Sequence, residues 1–168
     1  MSSGRPKMKV PLEGLDIVLD ILSATLLLLM IIYTIMSYSE LPEIIPSHFD
    51  ARGNVDGYSN KRFLWFLPAI GMVTLIGLFT LNKYPHIHNY MVNITEENAL
   101  KNYRLSTRIV RFTNLFTMFT FAIIVFAMVQ SAKGESFNLS SWFIYAIVGL
   151  SILAPLGIVY YSRKINKS

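Results

Sequence analysis

Cysteine is absent from the 168 residues. Disulfides, thiolate metal sites and cysteine nucleophiles are therefore excluded, although the absence assigns no compartment. Charge is scarce. Asp, Glu, Lys and Arg make up 15% of the chain, against about 25% in an average soluble domain. Histidine occurs only three times. The sequence shows no His-Glu-x-x-His zinc motif, no phosphate-binding loop and no serine–histidine pair. It has no internal repeat and no low-complexity tract. Its net charge of +5 comes without a basic run interleaved with aromatics, so nucleic acid is not an expected partner.

Apolar residues are abundant. They form 53% of the chain and fall into four blocks separated by polar segments. One small soluble core could not bury four such blocks. Spans are expected at 17–38, 63–81, 109–129 and 142–161. About 22 residues at 1.5 Å each reach roughly 33 Å, enough for a hydrocarbon core of about 30 Å. The first block exceeds the length of a signal-peptide core, so a retained span is favoured over a cleaved leader. Pro68 sits in the first turns of the second span, where a missing N–H costs least. Phe63, Trp65 and Phe66 resemble an interfacial anchor, and Pro155 with Gly157 is expected to kink the fourth span. No ionisable residue lies near the middle of a span, which argues against a proton-coupled pump.

The expected fold is an all-α integral membrane protein with four transmembrane helices and a structured extracellular loop between helices 1 and 2. Residues 1–16 form a cytoplasmic tail, 17–162 the membrane domain with an outer cap at 39–62, and 163–168 a second cytoplasmic tail. Lysine and arginine set the orientation. Arg5, Lys7, Lys9, Lys83, Lys101, Arg104, Arg108, Arg111, Arg163, Lys164 and Lys167 share one side, against Arg52, Lys61, Arg62 and Lys133 on the other. The positive-inside rule places both termini in the cytoplasm of a bacterial plasma membrane, with the lipid bilayer as the first partner.

The outer loop carries His48, Asp50, Asp56 and Lys61. Pro42 and Pro46 enforce extended backbone before them. Asp56-Gly57 is a strong turn signal and Gly53-Asn54 a second one, so a compact cap, with a short hairpin as one form, is expected. On a strand His48 and Asp50 would share a face. A metal site built from His48 with Glu40, Glu43 and Asp56 is the alternative to hydrogen bonding within the loop. One histidine without cysteine is a poor zinc signature, and the residues call for no metal and no cofactor. His86 and His88 lie on the opposite side and are expected to be interfacial or solvated.

On the inner side, Thr95 is a natural N-cap ahead of Glu96 and Glu97, for a helix that runs on into the third span. Lys101, Arg104, Arg108 and Arg111 recur at helical spacing as a basic stripe. Glu13, Asp16 and Asp20 make an acidic one at the entrance to the first span. The stripes are expected either to pair, with Asp20 and Arg108 as the pair to test, or to stay solvated and meet anionic lipid. Thr113, Thr117 and Thr120, with Asn114 beside them, read as helix packing. The triplets Asn93-Ile94-Thr95 and Asn138-Leu139-Ser140 carry no weight as glycosylation sites.

Leu41-Pro42, Pro46-Ser47-His48-Phe49-Asp50, Gly53-Asn54-Val55-Asp56-Gly57 and Lys61, followed by Asn89-Tyr90 and Thr95 to Ala99, resemble the bacterial membrane domain of unknown function at the N-terminus of SdpI-type immunity proteins. Asp50 stands where that pattern has Asn, and Val55 where it has Pro. The chain is shorter than those proteins, which carry a further membrane domain. The resemblance implies non-enzymatic self-protection against a membrane-active toxin peptide, or a sensor-like role in which a cytoplasmic regulator is captured on the basic inner face. It implies that Gly53 and Gly57 set turns while His48, Asp50, Asp56 and Lys61 present polar contacts to a ligand or partner. Rival readings are a membrane metal-binding protein or metal-dependent enzyme using His48 and nearby carboxylates, and a subunit of a larger transporter. A homo-oligomer is compatible with each.

Overall fold

The computed structural model describes residues 4–135 and 141–166. Helix α1 spans Gly14–Tyr38, strands β1 and β2 span Ile44–Phe49 and Val55–Asn60, α2 spans Phe66–Leu81, α3 spans Glu96–Ala132 and α4 spans Ser141–Ile165. A single 3-10 turn, Lys61–Trp65, leads into α2, and another, Pro85–Ile87, follows it. The four helices α1, Lys61–Leu81, α3 and α4 are long and apolar enough to cross a membrane. The triplet at Asn138 and the link before α4 lie outside the described residues.

Helix ends are set by polar residues that a hydropathy profile does not register. At the start of α1, the Glu13 backbone N–H donates to Asp16 Oδ2 at 2.9 Å, one half of a capping box. At the start of α3, the Thr95 N–H donates to Asn98 Oδ1 at 3.0 Å. These caps start α1 three residues before the expected span and carry α3 thirteen residues ahead of its own. Residues 4–13 lie as a strap against the helices. The Tyr103 hydroxyl donates to Pro6 O at 2.9 Å, and Arg5 donates to the backbone oxygens of His86 and His88 at 3.2 and 2.6 Å.

The packing is inverted relative to a soluble bundle. The buried stripe of α1 is Asp16, Leu19, Ser23, Leu27, Met30, Thr34 and Ser37. The facing stripe of α3 includes Asn102, Thr107, Arg111, Asn114 and Met118. Large aliphatic residues such as Leu22, Leu28, Ile35, Val73 and Ile76 point outward. Small and polar residues inside with apolar residues outside is the distribution a lipid solvent selects, because burying apolar groups gains nothing there while polar groups need partners. α1 packs chiefly on α3, and α2 fits against both. A Cβ on Gly71 would sit 3.2 Å from Met30 Cε and 3.4 Å from Leu27 Cδ1, so a small residue lets α2 approach.

The main core joins Leu27, Met30 and Met118 to Leu41, Ile45 and Leu64 under the hairpin and to Val125, Met128 and Val129. A second cluster, Ile94, Ala99 and Tyr103, closes the opposite end against Met8 and Val10 of the strap. α4 buries none of its described residues. It is held near its ends: the Ser141 hydroxyl donates to Arg52 O at 3.3 Å, and Asn102 and Asn166 exchange amide hydrogen bonds at 3.0 and 2.9 Å. Pro155 lies inside it.

Candidate functional site

The loop after α1 is a two-stranded antiparallel hairpin. Ile45 pairs with Ser59, Pro46 with Tyr58, His48 with Gly57 and Phe49 with Val55, and the register shifts on either side of His48. The turn lies at Asp50–Asn54 and not at Asp56-Gly57. The Asp50 N–H donates to Asn54 O at 2.8 Å, and the Gly53 N–H to Asp50 O at 2.9 Å. The Asp50 carboxylate accepts from the Arg52 and Asn54 backbone N–H groups at 2.7 and 2.9 Å and from the Asn54 side-chain amide at 3.2 Å. The Asn54 N–H first, then that of Arg52, holds this carboxyl below its ordinary range. Gly53 takes a φ of 82°, which a side chain would strain. Asp50 is therefore turned into its own turn and does not share a partner with His48.

His48 and Asp56 come together instead. Nδ1 of His48 lies 2.5 Å from Asp56 Oδ1, and the side chains are 73% and 45% exposed. The pair becomes a full ion pair whenever the imidazole is protonated. Gly57 sits within β2 with no positive φ. Its role is close approach: a Cβ there would meet His48 Cβ at 2.9 Å. This corrects its expected place in a turn.

Lys61 faces inward, with 19% of its side chain exposed. Nζ lies 2.9 Å from Glu43 Oε1, 3.4 Å from Leu41 O and 5.4 Å from the centre of the Tyr38 ring. It clasps the base of the hairpin to the end of α1, and its hydrogen bond lowers the Glu43 pKa. Lys133 and Glu40, 2.6 Å apart, tie the end of α3 to the same corner. Ile45 is fully buried beneath the sheet while Ile44 faces out. Between the hairpin, α3 and α4 lies a cavity of about 490 Å³, lined by His48, Phe49 and Asp50 together with Thr120, Ile124 and Phe143 among others. The hydroxyl oxygen of Thr120 is buried without a hydrogen-bond partner among the described residues.

The two charged stripes meet at the other end of the bundle. Arg108 bonds Glu13 and, at 3.1 Å, Asp16. Arg104 lies 3.1 Å from Glu13. Arg111 donates to Asp20 at 3.0 Å. The register differs from the expected one by a turn: Asp20 meets Arg111, and Arg108 serves Glu13 and Asp16. The arginine stripe is folded against α1 instead of being displayed.

Sequence reasoning missed His88. It is buried, with 7% exposed, and not solvated. Its Nε2 lies 3.1 Å from Leu81 O, which can only accept, so Nε2–H donates there, and Nδ1 lies 2.6 Å from the Ser106 hydroxyl. The fold thus forms a serine–histidine pair that spacing alone does not reveal. It pins the loop after α2 onto α3. Half-buried Tyr90 donates to Pro85 O at 2.7 Å beside it, and burial pushes that phenol up to about 12. Among the described residues, no group of three or more His, Asp or Glu side chains is placed to hold a metal ion.

The fold and the hairpin define the class: a chain of four long apolar helices with a small β-hairpin inserted between the first two. Residues 25–72 match the family described as Domain of unknown function (DUF1648). The matched segment begins midway along α1, contains the whole hairpin and ends in α2. An uncharacterized protein of Archaeoglobus fulgidus is 32% identical over 66 residues, covering 34% of this chain and 36% of that relative. The chain therefore spans little more than a third of the relative's length. No solved structure matches.

Proposed function

We propose that the protein crosses a bacterial plasma membrane four times with both termini in the cytoplasm. In this reading it acts without catalysis, as an immunity protein or sensor that captures a membrane-active toxin peptide at its outer hairpin. The bias of Lys and Arg toward the side of the termini supports the orientation. The observation that carries the function is the exposed His48–Asp56 pair on a braced hairpin, whose His48 lines the apolar cavity against α3 and α4. A polar handle beside an apolar cleft suits an amphipathic peptide arriving from outside. The resemblance of the hairpin motif to SdpI-type immunity proteins supports the same ligand class.

The test is direct binding. Protein in phosphatidylcholine nanodiscs is titrated with labelled SdpC-type toxin peptide. Wild type should bind, and His48→Ala should weaken binding about tenfold, the effect of losing one charge-assisted hydrogen bond. Equal binding by the two proteins, or none by wild type, refutes the reading.

A further inference from the structure

A cavity of about 410 Å³ opens at the basic end of the bundle, between the strap, α1, the end of α2 and α3. It does not belong to the outer hairpin. Arg111 lines it and is 7% exposed. A guanidinium carries five N–H donors. Here Nε serves Asp20, while the nearer terminal nitrogen stands 4.0 Å from Asp16, beyond hydrogen-bond length. The terminal nitrogens therefore donate no hydrogen bond among the described residues. These donors are available to an acceptor in the cavity, and a planar fork fits the oxygens of a phosphate.

Lys9 and Lys83 line the same cavity, and Nζ of Lys83 rides 5.3 Å above the Phe79 ring. Asp16 and Asp20 also line it, but Asp16 is held by Arg108 from outside. The cavity is left with an excess of positive charge. Asn82 adds a further feature, because its side-chain oxygen is buried and accepts no hydrogen bond among the described residues. A bare phosphate dianion offers nothing to an acceptor. An occupant with a donor beside its phosphate would supply Asn82 with a partner, and the positive excess favours a hydroxyl over an ammonium group.

We propose that this cavity binds a glycerophosphate-type headgroup. Its phosphate is received by Arg111, Lys9 and Lys83, and a hydroxyl donates to Asn82. A free glycerol phosphate and the headgroup of phosphatidylglycerol share this chemistry. Phe79 and Leu12, both apolar lining residues, are about half exposed. They offer a wall to the rest of a lipid at the level where headgroups lie in the proposed topology.

The experiment is native mass spectrometry of the full chain released from mixed phosphatidylcholine, phosphatidylethanolamine and phosphatidylglycerol bilayers, with and without added glycerol 1-phosphate. Wild type should retain one phosphatidylglycerol in about tenfold preference over phosphatidylcholine, undiminished by free glycerol 1-phosphate. Asn82→Leu and Lys83→Gln should each abolish most of that preference. Lys83 is exposed and outside the ion network, so its variant keeps the test valid if Asn82→Leu fails to fold. No preference, a preference for phosphatidylethanolamine, or an unchanged preference in Lys83→Gln overturns the proposal. Displacement by glycerol 1-phosphate overturns the lipid source. The readout is the mass of bound lipid, so it stands apart from toxin capture.

Discussion

Gly57 and His48 oppose each other across the hairpin with no room for a Cβ between them: one built on Gly57 would lie 2.9 Å from His48 Cβ. Contact at that distance involves the root of the side chain, which cannot swing away. Gly57→Ala should therefore push the strands apart and separate His48 from Asp56, at a cost of about 1–3 kcal/mol. Adding His48→Gly should relieve the clash, whereas adding His48→Ala should not, because it keeps the offending Cβ. Thermal unfolding of the single and double variants in detergent checks this. Equal stability of the two double variants would contradict the packing argument.

At the basic end, Asp20 and Arg111 form a pair with side chains 23% and 8% exposed. Removing one member of such a pair leaves a buried charge and costs on the order of 3 kcal/mol. The exchange Asp20→Arg with Arg111→Asp should recover part of that loss. The exchange Asp20→Arg with Arg108→Asp should not, because Arg108 serves Glu13 and Asp16. Melting temperatures of the three single and two double variants distinguish the two registers.

The corner at the base of the hairpin should loosen in acid. Lys133 lowers the pKa of Glu40 from its ordinary 4.5, Lys61 does the same for Glu43, and the Asn54 N–H lowers Asp50 from 3.8. A depressed folded-state value contributes stability that is complete above the ordinary value and is lost as pH falls through the lowered one. Trp65, 6.1 Å from Tyr38 at the hairpin base, is the reporter in a Trp142→Phe background. Its emission should be constant from pH 7 down to about 5 and change below about 4. A transition centred near neutrality would contradict this assignment.

The absence of cysteine makes topology easy to test. Arg52→Cys, at the hairpin tip, should react with an impermeant thiol reagent on intact cells. Met91→Cys, in the loop between α2 and α3, should react only after permeabilisation. The reverse pattern would invert the proposed orientation.

The four apolar blocks were legible because each is long and nearly free of charge. The start of α3 was legible too, from Thr95 as its N-cap, whereas the start of α1 was less so, since Glu13 with Asp16 extends it by capping, which apolar length does not register. A hairpin was legible from its turn residues, and of the two turns read there Gly53-Asn54 is the reversal while Asp56-Gly57 is not. Asp56-Gly57 has the composition of a turn, yet the three hydrogen bonds accepted by Asp50 and the positive φ of Gly53 win the reversal. That leaves Gly57 free to admit His48. Pairing of the charged stripes could be inferred from helical spacing, but its register could not. Spacing does not reveal the axial offset of two helices. The contact of His88 with Ser106 depends on the path of an irregular loop and leaves no periodic trace.

The most direct test of outer capture is a killing assay. A toxin-sensitive bacterium expressing wild type, His48→Ala or Asp56→Ala at matched membrane levels is challenged with SdpC-type toxin peptide. The account predicts survival with wild type and sharply reduced survival with either variant. Death of cells carrying well-expressed wild type, or full protection by both variants, would contradict it.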